Sequence, residues 1–275
     1  MRITALALSG LIIILTLSPV SQASAENSLL SEIDFAQKSI EDGFYDIAEN
    51  KLLEILMSEA PAEIEARVHI LLGRIYLDTG QEGKALAEFA MVEDRFPGTD
   101  LASRATLWIA ESYYRQKKFE EALGQYQKVL SSYPAGDIAA NARYSIAWCY
   151  EKLGEFSLAA GAFRDFIRLY PDNELTVSAS YALGEVLFRS GDYAAAARSL
   201  ESYISRYPVN PRILETYYLL GECYFALGNL RESVINFQRA SRSSGDLPWK
   251  TAAGYRIGEI KLAEGDLQNA LLWFD

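Results

Sequence analysis

Residues 179–208 read ASYALGEVLFRSGDYAAAARSLESYISRYP, and this stretch decides the fold. Apolar residues lie at helical spacing around Gly184, and a second amphipathic run follows Gly191. A glycine at this second position can end the first helix in a left-handed conformation. Pro208 lacks a backbone N–H and therefore ends the second helix. The stretch predicts two helices that form a hairpin.

The same pattern recurs every 37 residues along the chain. Each copy has a small anchor residue, a second small residue twelve places later, and a large apolar or aromatic residue four places after that. The anchors are Ala36, Gly73, Ala110, Ala147, Gly184, Gly221 and Gly258. A glycine lies between the two small residues of every copy except the third, where Lys117 replaces it. Since one hairpin cannot bury its apolar face alone, seven copies predict an all-α solenoid of stacked hairpins whose last repeat is incomplete.

The repeat boundaries follow from this spacing. We place the repeats, which form one solenoid over residues 26–275, at 29–65, 66–102, 103–139, 140–176, 177–213, 214–250 and 251–275. In residues 241–249 (SRSSGDLPW) the proline comes three places late, but the anchors keep their spacing, so we expect a remodelled turn. The sequence stops at Asp275, within the second helix of the seventh repeat. We expect either a longer chain or a partner on this last face, because solenoids need a solvated cap.

The first 25 residues have the features of an export signal. Arg2 precedes an uncharged apolar run over residues 3–17, and the small residues 23–25 predict cleavage after Ala25. The run is shorter than the ~20 residues that span a bilayer, and no later segment is apolar for long enough. We therefore expect an exported, periplasmic protein without an integral membrane segment. The alternative is that the uncleaved N-terminal segment anchors the chain.

Composition excludes several classes of function. The 26 Lys and Arg residues against 37 Asp and Glu give a net charge of −11, which disfavours nucleic acid as a ligand. With one histidine and two cysteines a His/Cys metal cage is almost excluded and any nucleophile–histidine pair would need His69, so we expect no enzyme activity and no cofactor. We expect His69 to be a polar surface residue. Cys149 and Cys223 share a repeat position, and we expect both to be buried and unbridged.

The repeat resembles the tetratricopeptide repeat, because Gly184, Ala196 and Pro208 match that repeat's small, small and proline positions. The present unit is 37 residues long, against about 34 in that family. The pattern A-x-Y-x-L-G over residues 179–184, followed by Tyr207-Pro208, is similar to bacterial periplasmic members. Those members include the Tol–Pal-associated cell-division coordinator and the outer-membrane assembly lipoproteins. The resemblance implies a right-handed superhelix whose first helices line a concave binding face. Two features depart from those proteins: no cysteine follows the signal for acylation, and no coiled-coil segment precedes the repeats.

Candidate binding residues lie in the first helices of repeats four to seven. A tyrosine recurs three places before the anchor and suits peptide binding. The alternative is packing between helices, because Ile33, Ile70 and Leu107 occupy this position in earlier repeats. One place after the anchor stands a glutamate, or Trp148 in the fourth repeat. The candidate groove residues are Tyr144, Trp148, Tyr181, Glu185, Tyr218, Glu222, Tyr255 and Glu259.

Charge distinguishes the two ends of this candidate groove. In the third and fifth repeats an arginine follows the glutamate four places later, as Arg189 follows Glu185, and such pairs are favourable on a helix. Glu222 and Glu259 have alanine at that position. We therefore expect the C-terminal half of the groove to be acidic and aromatic and to bind an extended segment with basic and apolar residues. Ordinary surface charge is the alternative.

Three functions fit these observations. The first is a periplasmic adaptor that binds envelope proteins or peptides, in outer-membrane assembly or cell division. The second is the N-terminal recognition arm of a larger exported protein whose other domain is absent from this sequence. The third is a homo-oligomer formed through the open C-terminal face. All three predict protein or peptide partners.

Overall fold

The computed structural model describes residues 19–242 and 248–274. These residues form fourteen α-helices and no strand, which confirms the predicted all-α class. The chain divides into two compact units, Met1–Pro97 with α1 to α4 and Gly98–Asp275 with α5 to α14. The helices are α1 (Pro19–Glu41), α2 (Tyr45–Leu56), α3 (Ala62–Asp78), α4 (Glu82–Arg95), α5 (Asp100–Arg115), α6 (Phe119–Ser132), α7 (Gly136–Lys152), α8 (Phe156–Leu169), α9 (Thr176–Arg189), α10 (Tyr193–Arg206), α11 (Ile213–Ala226), α12 (Leu230–Ala240), α13 (Pro248–Ala263) and α14 (Leu267–Phe274).

The helices of each unit pack in the order in which they follow along the chain. In the first unit α1 pairs with α2 and α3 pairs with α4. In the second unit the same pairing runs from α5 with α6 to α13 with α14, and each even-numbered helix also contacts the odd-numbered helix that follows it. Within each unit, each hairpin therefore buries its apolar face against the next one, as a solenoid of repeats requires.

A residue in the left-handed conformation ends the first helix of every repeat. The six mid-repeat glycines have φ angles between 72° and 81°, as the sequence pattern predicts. Lys117 takes the same place in the third repeat with a φ of 60°. This conformation costs a residue with a Cβ about 1–2 kcal/mol. The turn geometry is thus the same in all seven repeats, and the lysine repeat bears that cost. The six glycines are Gly43, Gly80, Gly154, Gly191, Gly228 and Gly265.

Four of the second helices end where the sequence places an aromatic–proline step. These helices are α4, α6, α8 and α10, and their last residues are Arg95, Ser132, Leu169 and Arg206. Each is followed directly by the aromatic residue and then by proline. Proline disfavours helical geometry in the residue before it, which explains the common end point.

Glycine anchors let the two helices of a hairpin approach closely. A Cβ added to Gly221 would lie 2.6 Å from the ring of Phe237, and at Gly184 the side chain of Leu200 occupies the same space. Both large side chains are fully buried. The large residue of each of these repeats thus fills the space beside the small anchor. The anchors at which an added Cβ would clash with the facing side chain are Gly73, Gly184, Gly221 and Gly258.

The two cysteines are buried and unbridged, as predicted. Neither side chain is exposed, and burial raises the pKa of each thiol to about 12. Such thiols fill space between helices and are unreactive.

The expectation that His69 lies on the surface is wrong. Its imidazole is buried in the first unit, with Nδ1 2.6 Å from Oε2 of Glu88 and Nε2 3.7 Å from Oε1 of Glu65. Glu65 also accepts a hydrogen bond from Nη2 of Arg95 at 3.1 Å. Glu88 and Arg95 belong to α4, the helix paired with α3. Sequence spacing along α3 therefore does not reveal that Glu88 contacts the imidazole ring.

Two predicted features fall partly outside the described residues. One is the export signal, whose apolar run over residues 3–17 lies outside the described residues, whereas the predicted cleavage point after Ala25 lies within α1. Residues 243–247 of the predicted remodelled turn are the other. Among the helices of the described residues, none has the length and apolar character to cross a membrane.

Candidate functional site

The predicted groove residues lie in pairs on four helices of the second unit. On α7, α9, α11 and α13 the tyrosine precedes the glutamate or tryptophan by four residues, so both side chains share one face of the helix. Helix α11 contacts both α9 and α13, and the pairs on these three helices are therefore neighbours. The pairs are Tyr144 with Trp148, Tyr181 with Glu185, Tyr218 with Glu222, and Tyr255 with Glu259.

The pair on α7 packs within its own hairpin. The centroid of the Tyr144 ring lies 5.5 Å from that of Phe166, and the Trp148 ring lies 5.2 Å from that of Phe163 in an edge-to-face arrangement. Both side chains are half-buried. For this pair the contacts support packing, the alternative that the sequence left open, since the rings face α8.

Residues at the start of α11 lie close to the pair on α9. Tyr181 is only 2% exposed, and the guanidinium of Arg212 lies 4.7 Å from the centroid of its ring. Burial raises the pKa of this tyrosine, and the nearby carboxylates of Glu185 and Glu215 raise it further. Burial and the charge of Glu215 also raise the pKa of Glu185. The α9 pair therefore offers little aromatic surface to a ligand.

The predicted pair between Glu185 and Arg189 is not formed. Among the described residues, Arg189 forms its ion pair with Glu151 of α7, a carboxylate that is only 7% exposed. Its guanidinium also lies 4.5 Å from the centroid of the Phe156 ring. The equivalent pair in the third repeat, Glu111 with Arg115, does form, with a distance of 3.5 Å between Oε1 and Nε.

Glu222 and Glu259 lack a basic residue four places later, but both have a basic partner elsewhere in the structure. Arg256 donates two hydrogen bonds to Glu222, from Nε to Oε1 at 2.7 Å and from Nη2 to Oε2 at 2.9 Å. Its Nη1 donates a third to Oε2 of Glu259 at 3.1 Å. These hydrogen bonds raise the pKa of the guanidinium above its ordinary value, and those to Glu222 contribute most. The end of the groove predicted to be acidic thus holds two carboxylates that share one cation.

Tyr218 and Tyr255 lie together in an open depression of 580 Å³ between α11 and α13. Tyr255 is 56% exposed, whereas Tyr218 is half-buried against Phe237, with 5.7 Å between the ring centroids. We call this site the tyrosine depression. It brings together three of the predicted residues and leaves the α7 and α9 pairs outside. Its lining residues are Tyr218, Pro248, Thr251, Ala252, Tyr255, Arg256 and Glu259.

Sequence reasoning missed Arg256, although a signal for it exists. Comparison along one helix finds only partners three or four residues away, whereas Glu222 lies 34 residues before its partner. Comparison across repeats shows that Arg256 is the one basic residue at its repeat position. The other repeats have Asp34, Leu71, Trp108, Ser145, Ala182 and Leu219 there.

The tyrosine depression is suited to binding. It offers an exposed aromatic ring, a carboxylate and a guanidinium whose bonds to two glutamates hold it in place. Among the residues that the structure describes, no group of three His, Cys, Asp or Glu side chains could hold a metal ion.

Stacked helical hairpins with small anchors and left-handed turns define the class of helical-repeat solenoids. The tetratricopeptide repeat model matches residues 94–137, 109–174 and 181–248, which together exceed half of the sequence. The chain belongs to the tetratricopeptide repeat family, whose domains bind protein partners.

Solved structures share this fold. The C-terminal part of a repeat-containing protein from Cytophaga hutchinsonii has a TM-score of 0.70 at 12% identity and covers 88% of this chain and 93% of its own. A tetratricopeptide repeat protein from Parabacteroides merdae has a TM-score of 0.59 at 18% identity, covering 90% and 91%. MamA from Desulfovibrio magneticus has a TM-score of 0.53 at 22% identity, covering 62% and 90%. No curated protein matches the sequence.

Proposed function

We propose that the protein is an exported adaptor that binds an extended segment of a partner protein in the tyrosine depression. The observation that carries the proposal is the position of Tyr255, a tyrosine that is more than half exposed and lines an open, mainly apolar depression. Tyrosine gives a large contact area and a hydroxyl while losing little conformational entropy, so it is enriched among the residues that dominate protein interfaces.

The charges around this ring indicate the chemistry of the partner. Arg256 is bound through two of its nitrogens to Glu222, whose side chain is only 12% exposed. Glu259 is 38% exposed and receives a single hydrogen bond from the same arginine. Two carboxylates and one guanidinium leave a net charge of −1. A segment with a basic residue beside apolar or aromatic residues complements this arrangement.

The binding proposal is tested by selecting random peptides displayed on phage against the full chain. We expect the selected peptides to be rich in Lys or Arg next to aromatic or aliphatic residues. Replacing Tyr255 with alanine should lower the affinity of these peptides by about tenfold or more, since a central aromatic residue of an interface contributes about 2 kcal/mol. Leu158→Ala is the matched control, because Leu158 is 52% exposed but lies on α8, away from the depression.

Two results would refute this location. One is an equal loss of affinity in both variants, and the other is no loss in Tyr255→Ala while its thermal unfolding midpoint stays unchanged. Glu259→Lys adds a test of charge. It should weaken basic peptides and leave neutral ones unaffected, because the depression would then hold two cations and one carboxylate.

The export proposal has its own support and its own test. The basic start, apolar run and small residues before Glu26 are the pattern that signal peptidases recognise. On the resemblance to periplasmic members, we place the adaptor in outer-membrane assembly or cell division. Expression in a Gram-negative host should yield a periplasmic protein whose mass lacks residues 1–25. A full-length chain in the membrane fraction would instead support the uncleaved anchor, and a full-length chain in the cytoplasm would refute export.

A further inference from the structure

A second groove in the same unit carries only positive charge. It lies between α8 and α10 with α9 at its base and encloses 360 Å³. The charged side chains along it are Arg164 of α8 and Arg198 and Arg206 of α10, and neither Asp nor Glu lines it. We call it the arginine groove. All three arginines are exposed.

Neighbouring carboxylates do not neutralise these arginines. Within the described part of the chain, none of the three forms an ion pair, and Arg206 bonds only a backbone oxygen, that of Pro171, at 3.3 Å. In contrast, Arg168, one turn further along α8, pairs with Asp165 at 2.9 Å. Three unneutralised cations along one groove are notable in a chain whose net charge is −11.

The charge is particular to this groove and does not belong to the repeat. The equivalent groove one repeat later lies between α10 and α12. There Glu201 stands 37 residues after Arg164, and Glu232 stands 37 residues after Ala195. Arg239 is the single basic residue along that second groove. The packing of the repeat is thus compatible with acidic or basic residues along this groove, so packing alone does not explain the arginines.

The arginines of α10 form a row with the spacing of an extended peptide. Arg198, Ser202 and Arg206 follow each other at four-residue intervals, so their Cα atoms advance by about 6 Å per step along the helix. An extended chain advances by about 6.6 Å for every two residues. Side chains at alternate positions of such a chain can therefore reach successive members of the row. Leu183 and Leu187 at the base of the groove can contact apolar side chains between them.

We propose that the arginine groove binds an extended acidic segment of a partner protein, with Asp or Glu side chains on Arg164, Arg198 and Arg206. Guanidinium groups bind carboxylates through two parallel hydrogen bonds, which gives such contacts both strength and direction. The tyrosine depression favours a basic segment, so the two sites take ligands of opposite charge.

A fluorescent ten-residue peptide that alternates glutamate and valine is the probe, and its polarisation is measured with the full chain at about 50 mM salt. Arg198→Gln/Arg206→Gln should weaken binding by at least about tenfold, because it removes two charge-assisted contacts. Arg168→Gln, the matched control on the same helix as Arg164, should leave the affinity unchanged. Arg164→Glu, which copies the residue of the next groove, should also weaken binding strongly.

The same experiment distinguishes an acidic peptide from other anionic ligands, namely phosphate and anionic vesicles. The proposal is overturned if the peptide does not bind, if the Arg168→Gln control loses as much affinity as the double variant, or if inorganic phosphate displaces the peptide as well as unlabelled peptide does. It is also overturned if anionic vesicles bind in a manner dependent on Arg198 and Arg206 while the peptide does not. All four arginines are exposed, and matching thermal unfolding midpoints will show that the variants fold.

Discussion

Glu185 and Glu222 occupy the same position in adjacent repeats but have opposite surroundings. Glu222 receives two hydrogen bonds from Arg256 of the next first helix. Glu185 lies near both Glu215 and Arg212; burial and the charge of Glu215 raise its pKa and outweigh the charge of Arg212, which lowers it. The repeat determines where each carboxylate lies on its helix, and the following repeat determines which charge it meets.

The tyrosines that precede these glutamates differ for the same reason. Arg212 comes just before α11 and lies over the ring of Tyr181, which is buried and also packs against Tyr203. Arg256 lies within α13 and is bound to glutamates, so Tyr218 remains at the edge of an open depression. The two arginines thus stand at different places relative to the next first helix, and the two tyrosines differ in exposure.

The largest effect is expected at the glycine anchors of the two repeats. Each anchor approaches the second helix of its hairpin closely, but the side chain that faces it differs. Gly221→Val should cost about 3 kcal/mol of unfolding free energy, because the rigid ring of Phe237 cannot move away. Gly184→Val should cost about 1–2 kcal/mol, since Leu200 can change rotamer. Urea denaturation measures both. The control is Gly161→Val, where an added Cβ meets nothing within 4 Å. If Gly161→Val lost as much unfolding free energy as Gly221→Val, the close approach of the two helices would not explain the loss.

The next effect compares the two arginines. Arg256→Ala should cost about 1–3 kcal/mol at neutral pH, because it leaves the largely buried Glu222 without its partner. Arg212→Ala should cost about 0.5–1 kcal/mol, the usual size of an exposed cation–π contact. The measurement is again urea denaturation. Equal costs would show that the two repeats do not differ electrostatically in the way described.

A smaller effect, of opposite sign in the two repeats, is expected from neutral variants of the glutamates. Because the pKa of Glu185 is raised in the folded chain, the native state binds its proton more tightly than the unfolded state does. The stability that this proton confers is present at acidic pH and is lost as the pH rises through the folded pKa. Glu185→Gln should therefore gain stability relative to the unmodified chain between about pH 4 and pH 7. Glu222→Gln should instead lose about 0.5–1 kcal/mol at neutral pH, because its bonds from Arg256 are no longer charge-assisted. Denaturation curves across this pH range that move in the same direction would contradict the comparison.

The smallest effect concerns the thiol next to Glu222. Cys223 is wholly buried with a pKa of about 12, so near pH 8 only about one thiol in 10⁴ is ionised. Maleimide labelling of the folded chain should be slow and should become fast in denaturant. Arg256→Ala should leave the labelling rate of Cys223 in the folded chain unchanged within a few-fold. Cys149 in α7 serves as the parallel control, and its labelling rate should also stay unchanged. Rapid labelling of Cys223 in that variant alone would mean that the ion pair also holds the helices together.

Much of the fold was predictable because it depends on contacts within one repeat. The helix ends follow from glycine and proline, and the close approach at Gly221 follows from a small residue paired with a large one sixteen places later. The site was predictable only in part. Tyr218, Tyr255 and Glu259 line one depression, but Arg256 belongs to the repeat after that of Glu222, and Arg212 comes at the start of the helix that follows the α9–α10 hairpin of Tyr181. Comparison along a single helix does not detect partners at that distance.

The amino-acid sequence by itself determined the class of the protein, its repeat length and the faces of the helices that carry tyrosine and glutamate. Helical periodicity and backbone conformation are local properties, and they are written into each 37-residue unit. Only the tertiary structure decided which tyrosine is exposed, which glutamate is neutralised and where three arginines gather without carboxylates. Burial and ion pairing depend on distances between helices of different repeats. Those distances exist only after the hairpins have packed against one another.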